Sequence, residues 1–203
     1  MDSTIDYYNK NAKTFFDETM EGDFDELYSK FLKYVPENGY ILDYGCGSGR
    51  DSKAFIERGY RVKAIDGSQE ICNLASEFIN QKVECMRFDE LNDKEEYDAI
   101  WACASIIHVK QEELPIILNK MYDALKDNGV MFISFKTGTG FEVKEGRYFN
   151  YVTKEIMEKI ISETLPTAKI IDCFETLPLT KRVNIGVIWC DFIIQKNSSK
   201  YIF

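Results

Sequence analysis

Ile41-Leu42-Asp43-Tyr44-Gly45-Cys46-Gly47-Ser48-Gly49-Arg50-Asp51 decides how this chain folds: an apolar strand runs into three glycines at alternate positions and then into a helix. Glycines without a Cβ let the backbone turn sharply and approach a ligand, as the first strand-to-helix turn of a nucleotide-binding sheet requires. A dinucleotide site is expected to read GxGxxG, with a pyrophosphate resting on the helix N-terminus. Here the spacing is GxGxG, and a carboxylate, Asp43, stands two residues before the first glycine. That carboxylate repels a pyrophosphate and suits a cofactor carrying a sulfonium and an ammonium group.

Working outward, strand-like and helix-like segments alternate. Residues 40–44, 51–58, 61–65, 68–80 and 82–88 read as strand, helix, strand, helix, strand, followed by a strand at 98–103, a helix at 111–126, a strand at 130–136 and a helix at 154–164. Such alternation predicts a mostly parallel sheet covered on both faces, a three-layer α/β architecture. Period supports the helices: Leu114, Ile117, Leu118, Met121 and Leu125 share one face, as do Ile71, Leu74, Ala75 and Phe78. Ser68 and Thr153 are expected N-caps, Gly59 and Gly129 helix stops, and Pro115 is tolerated in a first turn. Beyond residue 164, the stretches 169–175 and 184–195 are β-rich and predict an antiparallel hairpin at the sheet edge. With no repeat or linker, a single domain over 1–203 is expected, residues 1–38 being an N-terminal helical lid and 39–203 the core.

Composition narrows the function. The 203 residues are 45% hydrophobic and 14% aromatic, as in an ordinary globular domain. A net charge of −9 repels a phosphate backbone, which disfavours nucleic acid. No apolar run approaches the ~20 residues that span a bilayer. Cys46, Cys72, Cys85, Cys103, Cys173 and Cys190 lie scattered, without a CxxC pair. They read as small buried residues in a reducing, cytoplasmic compartment. One histidine and no cysteine cluster give no metal site.

Two acidic strand ends carry further chemistry. Asp66 closes the second strand 19 residues after Gly47, where nucleotide-binding sheets place a ribose-hydroxyl acceptor. Its structural alternative is a solvated strand-end carboxylate. Phe88-Asp89 closes the third strand, offering an apolar wall and an acceptor for an adenine amino group, or a plain turn residue. S-adenosylmethionine (SAM) has the sulfonium, ammonium, ribose and adenine that these positions suit.

In this order the residues resemble the class I SAM-dependent methyltransferases, and the resemblance covers nearly the whole chain. Residues 41–49 are similar to the family's first motif, Asp66 to its ribose acid, Asp89 to its adenine-side acid and Tyr97-Asp98-Ala99-Ile100 to its fourth strand. Leu125-Lys126-Asp127-Asn128-Gly129 resembles the LxPGG turn, with Asp127 for the proline and Asn128 for the first glycine. The resemblance implies a Rossmann-like sheet of order 3-2-1-4-5-7-6 with the last strand antiparallel. It implies SAM as cofactor, S-adenosylhomocysteine as product, and a cofactor site of Tyr8, Asp43, Gly45, Cys46, Gly47, Arg50, Asp66, Gly67, Ser68, Phe88, Asp89 and Ala104. Tyr8-Asn9-x-x-Ala12-x-x-Phe15 is similar to a YDxxAxxY element that folds over the cofactor in small-molecule members, departing from it at Asn9 and Phe15. Packing of Tyr8, Phe15 and Phe16 into the core is the competing reading.

The acceptor side is read from residues after strands four and five. His108, the only histidine, follows the fourth strand and suits a base or a substrate contact, or a pocket-shaping role. The glycine-spaced stretch 136–151 suits an acceptor loop, with Lys136, Arg147, Tyr148 and Tyr151 facing an anionic or planar acceptor and Arg182 reaching it from the hairpin. The expected function is methyl transfer by in-line displacement to a small molecule, by a monomer or homodimer without a membrane. The alternatives are a tRNA or protein methyltransferase, a non-catalytic SAM-binding module and a nicotinamide-dependent oxidoreductase.

Overall fold

The computed structural model describes residues 2–180 and 186–197. In chain order the elements are α1 (Asp2–Thr19), α2 (Asp25–Leu32), β1 (Tyr40–Tyr44), α3 (Arg50–Glu57), β2 (Arg61–Asp66), α4 (Gln69–Ile79), β3 (Glu84–Cys85), β4 (Tyr97–Ala102), α5 (Leu114–Ala124), β5 (Leu125–Thr137), β6 (Phe141–Lys144), β7 (Arg147–Val152), α6 (Lys154–Thr164), β8 (Lys169–Thr176) and β9 (Trp189–Gln195). The main sheet runs β3-β2-β1-β4-β5-β9-β8, with β9 antiparallel to both neighbours. Without the β6–β7 hairpin, β8 and β9 are the sixth and seventh strands, so the order is the expected 3-2-1-4-5-7-6. The hairpin is attached to the end of β5 through Lys136↔Tyr151 and Thr137↔Val152.

Alternation along the strands divides the core into two layers. On β4, Ala99 and Trp101 face one layer while Ile100 and Ala102 face the other. The first layer is aromatic: Trp101 stacks on Phe132 at 4.1 Å between centroids and meets Phe31 of α2 at 4.9 Å and Phe55 of α3 at 5.4 Å. The second holds Ile117, Leu118 and Met121 of α5 and Met157 and Ile161 of α6. No described helix is long and apolar enough to cross a membrane.

Capping follows the sequence: Ser68 accepts from Ile71 N and Thr153 from Ile156 N. Several boundaries move, each for a local reason. The strand expected over 82–88 shrinks to two residues, because pairing with β2 ends at Cys85 and Phe88–Glu90 tightens into a 3-10 turn. The helix expected to Lys126 ends at Ala124, since Leu125 is already extended and pairs with Tyr97. Asn128, not Gly129, takes the left-handed conformation, φ 63°, that asparagine tolerates better than other side chains. Gly129 is demanded by space, because a Cβ there would stand 2.9 Å from the Lys126 carbonyl oxygen. The 136–151 stretch is a β-hairpin, not a loop: Glu145 and Gly146, both at positive φ, make the two-residue turn. The last strand begins at Trp189, five residues after the expected start.

Candidate functional site at the carboxyl ends of the strands

The glycine turn lies at the carboxyl end of β1, where open α/β sheets bind ligands. Gly45 N–H and Cys46 N–H both donate to the Ile65 carbonyl at 2.9 Å, which folds the turn against β2. Gly45, at φ 84°, leaves no room for a side chain: a Cβ would stand 2.5 Å from that of Ser105. Gly47, at φ 54°, abuts the ring of Phe15 in the same way, at 3.1 Å. Asp66 fastens the turn to the next helix, its two carboxylate oxygens accepting Gly47 N–H at 3.1 Å and Ser68 N–H at 2.9 Å. Burial raises its pKa, opposed by the backbone N–H groups of Ser68, Gly47 and Gly67.

Beneath the turn sits a buried polar network that sequence reasoning did not anticipate. Asp51 accepts from Tyr28 hydroxyl at 2.5 Å, Trp101 indole at 2.8 Å and Arg50 Nε at 2.7 Å. Burial pushes the Asp51 carboxyl up, but Arg50 and the converging donors outweigh it and hold it below the usual range. Arg50 also donates to the Thr19 carbonyl at 3.0 Å and lies over the Phe24 ring at 3.5 Å, so the guanidinium ties α1 and the segment after it to the turn. Asp43 stands behind the turn, 2% exposed, accepting from Ser52 hydroxyl at 2.6 Å. Burial and the neighbouring Asp51 push its pKa up to about 8.

Helix α1 roofs the turn. Asn9 accepts from Ser68 hydroxyl at 2.7 Å and from Glu70 N–H at 3.3 Å, Ile5 packs over Gly67, and Thr4 accepts from Tyr148 N–H at 3.2 Å. Its Tyr8 hydroxyl lies 2.9 Å from His108 Nε2. His108 Nδ1 lies 2.6 Å from the Tyr148 carbonyl oxygen. A carbonyl only accepts, so Nδ1 carries the hydrogen and Nε2 accepts from Tyr8.

These elements line a cavity of about 440 Å³. Of the expected site residues, Tyr8, Gly45, Cys46, Gly47, Arg50, Asp66, Gly67, Ser68, Phe88, Ala104, His108, Lys136, Arg147 and Tyr151 line it. Asp43, Asp89 and Tyr148 are not on its wall. Asp43 is spent behind the turn on Ser52. Asp89 is exposed and pairs with Arg87 at 3.2 Å. Tyr148 turns its ring onto Phe141 and serves His108 through its carbonyl. Arg182 lies outside the described residues. Phe15 of the expected N-terminal element lines it too, and wall residues that were not foreseen include Asp51, Ser105, Ser134, Glu142, Lys144 and Trp189. The last four arrive by tertiary pairing: Trp189 stands opposite Lys136 across the β5–β9 ladder, and Glu142 and Lys144 share one face of β6. Ala104, at φ 53°, holds a left-handed conformation costly for alanine, braced by Ser105 hydroxyl donating to the Tyr44 carbonyl at 2.6 Å.

Residues 41–129, from β1 through the turn after α5, match the family described as "Methyltransferase domain". Over that stretch the chain is similar to methyltransferases, and its fold is the one they share. It is similar to an uncharacterized methyltransferase of Staphylococcus carnosus, 27% identical over 126 residues, 58% of this chain and 61% of that protein. The chain spans about three fifths of the length of the curated relatives it matches. Among solved structures it resembles the Burkholderia thailandensis 1,6-didemethyltoxoflavin-N1-methyltransferase with bound 1,6-didemethyltoxoflavin and S-adenosylhomocysteine: TM-score 0.74, 18% identity, 96% of this chain and 85% of that one. A similar match, TM-score 0.74 and 13% identity over 95% and 94% of the two chains, is to the cyclase SpnF. The turn, Asp66, Phe88 and Ala104 line the same cavity and bring to it a glycine cradle, carboxylate oxygens and an apolar side.

Proposed function

We propose that this chain binds SAM and transfers its methyl group to a small molecule. The observation that carries this reading is the cavity under α1 in which the glycine turn and Asp66 face the same space as His108, Lys136, Arg147 and Tyr151. Its volume of about 440 Å³ lies within the ~300–1,000 Å³ range of small-molecule pockets, which supports a small acceptor. In this reading Asp66 receives the ribose hydroxyls on the lone pairs that Gly47 and Ser68 leave open, Phe88 and Ala104 flank the base, and Arg50 and Thr19 border the amino-acid end. When bound, SAM supplies an activated methyl group, delivered in line to a nucleophile held opposite it.

The protein's own part is orientation, exclusion of water and proton handling. Helix α1 acts as the lid, with Tyr8 and Phe15 over the turn, whereas α2, expected to belong to a lid over 1–38, packs Leu27, Tyr28 and Phe31 into the core of one domain. His108, its Nδ1–H fixed on the Tyr148 carbonyl, presents Nε2 as the proton acceptor. A hydroxyl or amine acceptor passes its proton to Tyr8, which passes its own to Nε2. Calorimetric titration with S-adenosylhomocysteine, followed by transfer of an isotopically labelled methyl group into fractionated metabolites, tests the reading. Binding with labelled small-molecule product is expected; no binding, or binding with no label transferred to any fraction, rejects it.

A further inference from the structure

We infer that β6 is the seam of a homodimer: the open edges of two β6 strands pair antiparallel about Val143, so that Glu142 of each copy faces Lys144 of the other.

Among the described residues β6 pairs with β7 alone and stands last in the strand order on that side. Residues 141–146 are exposed throughout. The two-residue turn, with Glu145 and Gly146 both at positive φ, makes Lys144 and Arg147 the hydrogen-bonded pair that closes the hairpin and Glu142 and Phe149 the next one. Backbone groups alternate in direction along a strand, so the N–H and C=O of Phe141 and Val143 point away from β7, to the open edge. Uncovered donors and acceptors on an edge are a template for another strand. Neither a proline nor a bulge blunts this edge: the ladder runs in unbroken register from Phe141↔Asn150 to Lys144↔Arg147.

Side chains select the partner. Phe141 and Val143, each 62% exposed, share the face away from the cavity with Tyr148, whose ring stacks on Phe141 at 5.1 Å between centroids. Two-fold pairing about Val143 joins this apolar strip to its copy. On the other face it sets Glu142 opposite Lys144 twice, in non-hydrogen-bonded pairs, where facing Cα atoms come within about 4.5 Å. Pairing centred on Glu142 or on Lys144 instead sets like charges opposite each other. Glu142 already accepts from Tyr151 hydroxyl at 2.6 Å, and a carboxylate has lone pairs left for an ammonium. Because Glu142 and Lys144 line the cavity, the seam brings the partner's Lys144 to its rim. Four residues a side make a small interface, so the dimer is expected to dissociate in the micromolar range.

Sedimentation velocity of the full chain, across two decades of concentration reaching high micromolar, tests the seam. A reversible monomer–dimer equilibrium is expected for the wild type. Glu142→Lys and Lys144→Glu each turn two attractive pairs into two repulsive ones and are expected to weaken the dimer about tenfold. The double variant Glu142→Lys/Lys144→Glu exchanges the charges and is expected to restore it. Val143→Pro removes an N–H that β7 does not use, as an edge strand tolerates, and is expected to stay monomeric throughout with a wild-type circular dichroism spectrum. A wild type that is monomeric at every concentration, a dimer that survives Val143→Pro, or a double variant no tighter than the single ones overturns the inference. Should Val143→Pro disturb the fold, the charge exchange decides alone.

Discussion

At the scale of single residues, the carboxylates of the turn divide between ligand and scaffold. In the proposed reading Asp66 does both, so Asp66→Ala removes a ribose acceptor as well as two backbone contacts. Loss of charge-assisted hydrogen bonds worth about 1.5–3 kcal/mol is expected to weaken S-adenosylhomocysteine binding by tenfold or more in calorimetry, with Asp66→Asn intermediate. Asp43 is scaffold only. Its folded pKa, about 8, lies above the ordinary carboxylate value of 3.8, so the folded protein holds this proton longer than the unfolded chain does. The stability this contributes is fully present below the unfolded value and is lost as pH rises towards 8. Asp43→Asn, which still accepts from Ser52, is therefore expected to flatten the fall of melting temperature between pH 6 and 8.5. A wild-type slope in the variant contradicts the assignment. The position of Asp66 was legible because a fixed sequence interval follows from one helix and one strand; the seclusion of Asp43 was not, because it depends on Ser52 and Asp51 arriving beside it from α3.

At the scale of elements, α1 and α2 are attached to the sheet by different chemistry, and their substitutions separate accordingly. Phe31 of α2 is fully buried among Trp101, Phe55 and Phe132, so Phe31→Ala is expected to cost about 3–5 kcal/mol in chemical denaturation. The roof α1 is held by polar contacts to Ser68, Glu70, Tyr148 and His108, which exchange more readily with water. Tyr8→Phe and His108→Ala are expected to lower kcat at least tenfold while changing cofactor affinity less than threefold; the reverse split makes both residues structural. Periodicity made the α5 face readable, whereas on α4 the buried face is Ile71, Cys72, Ala75 and Ile79, with the expected Leu74 and Phe78 half-buried beside it. The β6–β7 hairpin was missed although Phe141 and Val143 alternate with Glu142 and Lys144, because Glu145-Gly146 is a less familiar two-residue turn than Asn-Gly or Asp-Gly.

At the scale of the whole molecule, the sheet order follows from the alternation of strands and helices, whereas the end of the cavity proposed for the acceptor is assembled from β5 and β7 together with β9, which is distant from both in sequence. No local motif encodes that meeting. If the cavity binds S-adenosylhomocysteine, a ligand at one hundred times its dissociation constant adds about 2.7 kcal/mol and is expected to raise the melting temperature by about 5–10 °C, while NADH leaves it unchanged. The solitary histidine has a last consequence. Because the entire sequence holds one imidazole, pinned by a carbonyl on one side and a phenol on the other, selective nitrogen-15 labelling yields an NMR spectrum with a single pair of ring signals. That pair reads the tautomer directly, without assignment, in every state from the empty protein to a working one.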